Sequence, residues 1–266
     1  MLMNFVPRFP SVINEYHYWK THIESLPLLQ KNKELKKEAG GTCMIIGNGT
    51  SVNNINLVRF KNIPKIVVNF FCLHKQYRAI APDYYVCLDP VLFTRRLLSD
   101  HFFPYIDKAQ VNKTKFIFPV STKKLTEQKR LLPNNKVYYV HGRYLHQSSP
   151  EKFDLANHCQ YYDTSPPFVM LMAYWLGFRK IYLVGHDINF LEGESHFYPN
   201  FRAEEKDPYL LQYRDNQWRA QKIVAALKIY KTIGNFLRSK KVKVFNSTPG
   251  GYLDVFPRAK LESIKN

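Results

Sequence analysis

Acidic residues are scarce in this chain. Against 39 Lys+Arg stand 21 Asp+Glu, a formal charge of +18 at pH 7 over 266 residues. Such an imbalance fits nucleic acid, an anionic membrane face or small phosphorylated substrates. No zinc-finger spacing and no RNA-recognition pattern occurs, so the reading is no nucleic acid. No apolar run approaches the roughly 20 residues that a membrane span needs. The start, Met1-Leu-Met-Asn-Phe-Val-Pro7, has neither the basic opening nor the long apolar middle of a signal peptide, and the expectation is a cytoplasmic protein. Cysteine is scarce too, at Cys43, Cys72, Cys87 and Cys159. The first three lie inside apolar runs without metal-type spacing, which predicts reduced core thiols. There is no internal repeat, no low-complexity tract and no Asp-X-Asp pair. His186 and Asp187 are adjacent rather than at a helical ligand spacing, so a dedicated metal or other cofactor has no support.

What is present suits one sizeable domain, or one domain with an appended lid. The chain is 45% hydrophobic and 15% aromatic. A chain of this length buries roughly 75% of its unfolded surface, so the core needs no staples. Its most telling stretch is Cys43-Met-Ile-Ile-Gly-Asn-Gly-Thr-Ser51. A short apolar run entering a glycine turn predicts a buried strand that passes into a loop. Gly47 and Gly49 would let a ligand approach the main chain. Thr50 and Ser51 would cap a helix over 52–60, whose free N–H groups attract an anion such as phosphate. Asn48 offers both a donor and an acceptor. A plain strand–turn–helix corner fits the same residues. Neither common phosphate motif is present: Val52 stands where a dinucleotide fingerprint needs its third glycine, and no Gly-Lys-Ser/Thr triplet follows.

Two more apolar segments repeat the design. Ile66–Val68 ends in Asn69, and Tyr84–Leu88 ends in Asp89-Pro90. In open α/β sheets the ligand crevice lies outside the carboxyl ends of the strands, so Asn48, Asn69 and Asp89 are site candidates together. Asn and Asp are also common turn residues. A helix carrying Arg95 and Arg96 is expected over 91–100, and strands over 116–120 and 136–140. Between 140 and 166 the pattern breaks into a polar, aromatic stretch with His141, Arg143, His158 and Asp163. A segment like this reads as a lid or substrate loop, or as disorder. Pattern resumes where Ser165 caps a helix over 168–176 that Gly177 ends, followed by a strand running into Gly185. That unit supports alternating β and α elements around a mostly parallel sheet. Beyond it, residues 186–198 hold His186, Asp187, Glu192, Glu194, Ser195, His196 and Tyr198, dense ionisable groups past a strand end that suggest acid–base work. A long helix over 217–237 and a strand over 241–246 close the pattern; 246–252 is a second strand end able to close over a ligand. Before all this, residues 1–40 form a helical extension, with Tyr18, Ile23, Leu26 and Leu29 as its buried positions. Its end, Lys31 to Glu38, is a basic face that meets solvent or anionic lipid heads.

The order of these pieces resembles the bacterial family-42 sialyltransferases and the looser superfamily that holds the motility-associated flagellin glycosyltransferases and the archaeal 6-hydroxymethylpterin diphosphokinases. Ile45-Ile-Gly-Asn-Gly-Thr-Ser51 is similar to that family's Gly-Asn-Gly-Pro-Ser loop, with Thr50 for the proline. Asn69 stands where those enzymes place an asparagine on the cytidine nucleotide. Asp89-Pro90 stands where they carry Asn-Pro. Met172 to Asp187 is similar to their helix-to-strand signature ending in Gly-X-Asp, here Gly185-His186-Asp187. The resemblance covers about residues 42–198 and weakly the last helix and strand.

It implies a Rossmann-like, GT-A-variant α/β domain over 41–266, with a lid or acceptor segment near 140–166. The implied activity moves a sugar, sialic acid or a related acidic one, from a CMP-type donor to a hydroxyl of a cell-surface glycan or glycolipid. It would be metal-independent, and the nucleotide sugar would be a substrate rather than a cofactor. Donor-binding residues would be Gly47, Asn48, Gly49, Thr50, Ser51, Asn69, Asp89, Ser165, Gly185, Asp187 and Asn189. The family's base is a histidine before the last helix, but Tyr213 to Trp218 contains none. The candidate base is therefore His196, with His186 second, acting as neutral imidazole. The Gly49–Ser51 amides and Tyr198 would steady the leaving phosphate, while Asn189 replaces one of the family's phosphate-binding tyrosines. A carboxylate at Asp89 would repel a charged donor unless paired. The placement implied is peripheral, at the inner face of the cytoplasmic membrane; a homo-oligomer stays open. The alternatives are a Mg-dependent pyrophosphokinase of the pterin type, with Asp89 and Asp187 as ligands, and a non-catalytic nucleotide-binding protein of polysaccharide assembly.

Overall fold

A computed structural model describes residues 12–36, 41–89, 91–94, 102–106, 113–133, 135–144, 149–162, 164–191, 196–198 and 215–264. Arg95, Arg96, Asp163, Glu192, Glu194, Ser195 and Tyr213 lie outside them.

Seven strands form one sheet: β1 (Thr42–Ile46), β2 (Lys65–Val68), β3 (Tyr84–Val86), β4 (Lys115–Pro119), β5 (Lys136–Val140), β8 (Lys180–Val184) and β9 (Lys243–Asn246). Their order is β5-β4-β3-β2-β1-β8-β9, and each neighbouring pair is parallel. The chain thus starts in the middle of the sheet, builds outward to β5, then returns beside β1 and builds the other way. Both faces are covered, which is why the strands read as unbroken apolar runs. Side chains still alternate. Cys43, Ile45, Ile66 and Leu183 enter one core layer, while Met44, Ile46, Val67 and Val184 enter the other.

The first layer is closed by α6 (Ser165–Trp175) and α7 (Asn216–Ser239). Helix α6 is buried along its length from Pro167 to Ala173, and each such side chain contributes roughly 1.5–3 kcal/mol on leaving water. Asp215 caps α7 by accepting from the Trp218 N–H at 2.6 Å. The second layer is aromatic: Tyr85 stacks on Phe116, and Phe70, Phe93, Phe102, Phe116 and Phe118 meet one another edge-on or tilted. Its covering helices are short, α2 (Tyr77–Ile80), α3 (Val91–Thr94), a turn at 102–106 (α4) and α5 (Lys123–Gln128).

Three expectations change. The helix over 52–60 is instead two 3-10 turns, Thr50–Asn54 and Leu57–Phe60, without a side-chain cap. Asn53, Asn54 and Asn56 fall inside that run, and such side chains compete with a helical ladder. The described part of segment 140–166 packs into the fold. Strands β6 (Gly142–Tyr144) and β7 (Cys159–Tyr161) pair in a small parallel sheet, and Leu155, Tyr161 and Tyr162 are buried. Helix α1 (Val12–Gln30), which continues as a 3-10 turn over Lys31–Leu35, packs against this segment and β5. Of its forecast buried positions Leu29 is buried, Tyr18 and Leu26 are half-buried, and Ile23 is 64% exposed; His22 and Ser25 face inward instead. All four cysteines are buried free thiols.

Candidate functional site

The strand order reverses between β1 and β8, and the loops leaving these two strands lie side by side. Gly47 N–H donates to Val184 O at 2.8 Å and Gly49 N–H to Gly185 O at 2.9 Å, so the ladder runs on past both strand ends. The approach is close enough to dictate glycine. A Cβ on Gly49 would stand 1.5 Å from Asp187 Oδ2 and 2.8 Å from Gly185 O. Gly185 itself has φ +71, a left-handed angle. Here the glycines serve loop-on-loop packing. The Gly49 amide is already engaged, whereas Thr50 and Ser51 N–H make no hydrogen bond within the described residues. The Ser51 hydroxyl donates to Asp187 Oδ2 at 3.0 Å.

Asn48 is buried beside this ladder. Its Nδ2 donates to Val68 O at 3.1 Å, and its carbonyl accepts from the Phe197 N–H at 3.0 Å. Its Oδ1 is buried and finds no donor among the described residues. The next residue after Val68 is Asn69, held at φ 49, a left-handed angle that Asn tolerates better than most residues. The Tyr85 hydroxyl donates to the Asn69 carbonyl. Asn69 Nδ2 donates to Ser165 Oγ at 3.3 Å. Ser165, expected to cap this helix, is its first residue, and the cap position is Thr164. Asn48, Asn69 and Ser165 come from the loop after β1, the turn after β2 and the start of α6, and are linked past the carboxyl ends of the central strands. Asp89 stands half-buried past the end of β3, two strands from β1 and on the order of 10 Å away by strand spacing.

The loop after β8 is rigidly seated. Asp187 O accepts from the Tyr252 N–H at 2.8 Å, and the Thr248 hydroxyl accepts from the His186 N–H at 3.0 Å. Arg258 holds the facing loop by donating to the carbonyls of Thr248, Gly250 and Gly251. Between Asp187 and Asn189, both buried, Ile188 is held at φ 51. For a β-branched residue that is a genuine outlier, and such outliers cluster at functional sites.

The two histidines part company. His186 is sealed in the core, with Nε2 3.3 Å from Ile45 O and Nδ1 3.4 Å from the Tyr230 hydroxyl. Burial pushes its pKa down to about 4, partly offset by the Ile45 carbonyl. The ring is neutral near pH 7, but no external hydroxyl reaches it in this arrangement. His196 is exposed and stacks on Tyr198 at 5.0 Å. Tyr198 packs on Phe70 at 5.1 Å, and Phe197 meets Phe71 edge-on. Residues 196–198 thus lie over the Asn48 loop and the turn after β2. The strand-end rule could find Asn48, Asn69 and Asp187. Thr248 lies in the strand end 246–252 that the sequence pointed to, whereas Tyr230 had no sequence signal, because its role comes from a contact made 44 residues away. Comparison with protein-family models, with curated proteins and with solved structures found no match.

Proposed function

We propose that the chain is a Rossmann-like glycosyltransferase that takes a CMP-type nucleotide sugar and transfers the sugar to a hydroxyl of a glycan or glycolipid. One observation carries the reading. Asn48, Asn69 and Ser165 converge beside the point where the strand order reverses, and Asn48 keeps a buried acceptor oxygen without a donor. A cytosine amino group or a ribose hydroxyl is a donor of the kind that oxygen lacks. In this reading the Thr50 and Ser51 amides and Tyr198 steady the leaving phosphate, which departs as a monoester. His196, exposed at the rim, takes the acceptor proton, and residues 196–198 rather than 140–166 cover the donor. His186 is then a positioning residue that holds the β1 and β8 loops together. Asp187, bonded to Ser51, orders the phosphate loop. The protein would work in the cytoplasm at the inner membrane face.

Calorimetry with CMP and with ATP, each with and without Mg²⁺, tests this. CMP should bind without metal, and Asn48→Ala should weaken it roughly tenfold to a hundredfold, the usual loss when a buried polar partner goes. Binding of ATP only with Mg²⁺ would transfer the site to the phosphoryl-transfer alternative through Asp89 and Asp187. Binding of neither nucleotide would sink the proposal.

A further inference from the structure

Helix α7 carries a charge asymmetry that the candidate site does not use. From Asn216 to Lys243 the chain has eight basic residues and no acidic one. One side of the helix, with Tyr230, Ile233 and Leu237, is buried against the sheet and α6. The other side is exposed at Gln221, Val224, Lys228, Lys231, Asn235 and Arg238. Steps of three and four residues place these along one face. Exposed Lys240, Lys241 and Lys243 follow at and just past the helix end. Among the described residues none of these six cations joins an ion pair. The nearest flanking carboxylates are occupied: Asp215 caps the helix, and Asp254 pairs with Arg258.

We propose that this face of α7 docks flat on an anionic lipid bilayer. On this face Lys228, Lys231 and Arg238 span about 15 Å of helix, a line of cations that matches a plane of acidic headgroups. A nucleic-acid site would interleave aromatic rings or base-reading side chains with the cations. The exposed positions between these cations hold Thr232, Asn235 and Ser239 instead. The apolar side is committed to the core, so the helix does not insert, and the attachment is electrostatic and screened by salt. The N-terminal basic tail is a weaker candidate, because Glu34 and Glu38 interrupt it. Nothing in this inference depends on the nucleotide-sugar reading.

The test is flotation of the full chain with phosphatidylcholine vesicles, with and without about 30% phosphatidylglycerol, at about 50 mM and about 500 mM salt. The protein should float only with the anionic vesicles and only at low salt. Reversing three charges, in K228E/K231E/R238E, should reduce the partition coefficient on the order of 100-fold. The same charge change at Lys61, Lys75 and Lys124, exposed on elements of the opposite layer, should leave most of the binding. Circular dichroism checks the fold, and K228Q/K231Q serves if the triple variant does not fold. Equal flotation with neutral vesicles, equal losses in both triple variants, or α7-dependent binding of duplex DNA without vesicle binding would each overturn the proposal.

Discussion

Two regions flank the sheet and are held by different means. At the crevice between β1 and β8, the order comes mainly from backbone groups: amide-to-carbonyl bonds between loops and a glycine with no room for a methyl group. At the far side, α1 meets β5, β6 and β7 through side chains. His22 Nδ1 and His141 Nδ1 lie 3.2 Å apart, and the Tyr18 hydroxyl meets His158 Nδ1 at 2.5 Å. Arg143 pairs with Glu15 and lies over the Tyr18 ring. A junction built mainly from backbone groups responds little to pH but cannot accept an added carbon. A junction of imidazoles has the opposite sensitivity.

The largest effect should come from Gly49→Ala. The new methyl must displace the Asp187 carboxylate, which is buried and bonded to Ser51, and it also crowds the Gly185 carbonyl. Overpacking of this kind costs about 3 kcal/mol or more. Urea unfolding measures it; a variant as stable as the wild type would show that the loops are not locked together.

Acid should act next, and chiefly at the α1 junction. Burial lowers the His141 pKa to about 4, helped by the nearby His22 and His158. Burial, then Arg143, His22 and Lys152, lowers that of His158 as well. The folded state thus favours the neutral rings, while the unfolded chain protonates near pH 6.5. Their contribution is fully present above about pH 6.5 and is lost as pH falls toward about 4. Between pH 7 and pH 5 the loss should be on the order of 2 kcal/mol. His141→Phe, which keeps a ring against Tyr18, should flatten that acid limb relative to wild type. His186 contributes to the limb from the crevice side, so the flattening should be partial. An unchanged slope would show that the junction histidines are not what acid disturbs.

How far the sequence could be read follows the same division. The buried strands β1, β2, β4, β5 and β8 were readable because each is an apolar run bounded by turn residues. So was α6, with its prolines at the start and Gly177 at the end. The strand-end rule put Asn48 and Asn69 past the carboxyl ends of neighbouring strands, and the structure has them there. Unreadable were the three-residue strands β6 and β7, which include Arg143 and Gln160 and carry too few residues to show a period. The docking of α1 was also hidden, since its inward face is polar, with His22 and Asn32; Asn32 Nδ2 donates to the carbonyls of Tyr139 and Leu155. The burial of His186 depends on Tyr230, and the left-handed Ile188 has no sequence mark at all.

A smaller effect sharpens the view of the crevice. Asn69 combines a left-handed backbone with a side-chain bond to Ser165, and two substitutions separate these. Asn69→Gly keeps the backbone angle and removes the amide. Asn69→Val removes the amide and strains the backbone, so it should be less stable than the glycine variant by about 1–2 kcal/mol. If the two variants unfold at the same urea concentration, the conformation at Asn69 does not matter to the fold.

The smallest effect belongs to Tyr18→Phe at the other junction. The ring stacks on His141 at 4.5 Å, and that contact survives the change. What goes is the hydroxyl, whose pKa burial raises to about 12, so it is a neutral donor near pH 7. With Tyr18 OH as donor and His158 Nδ1 as acceptor, the bond requires a neutral His158. Its loss should cost about 1 kcal/mol near pH 7. Below the pH at which His158 takes a proton, Nδ1 no longer accepts, and wild type and Tyr18→Phe should converge in stability. An offset between wild type and Tyr18→Phe that stays constant from pH 7 down through the whole acid limb would mean that the hydroxyl is not bonded to the neutral ring, and that the junction is held by stacking and by the Arg143–Glu15 pair instead.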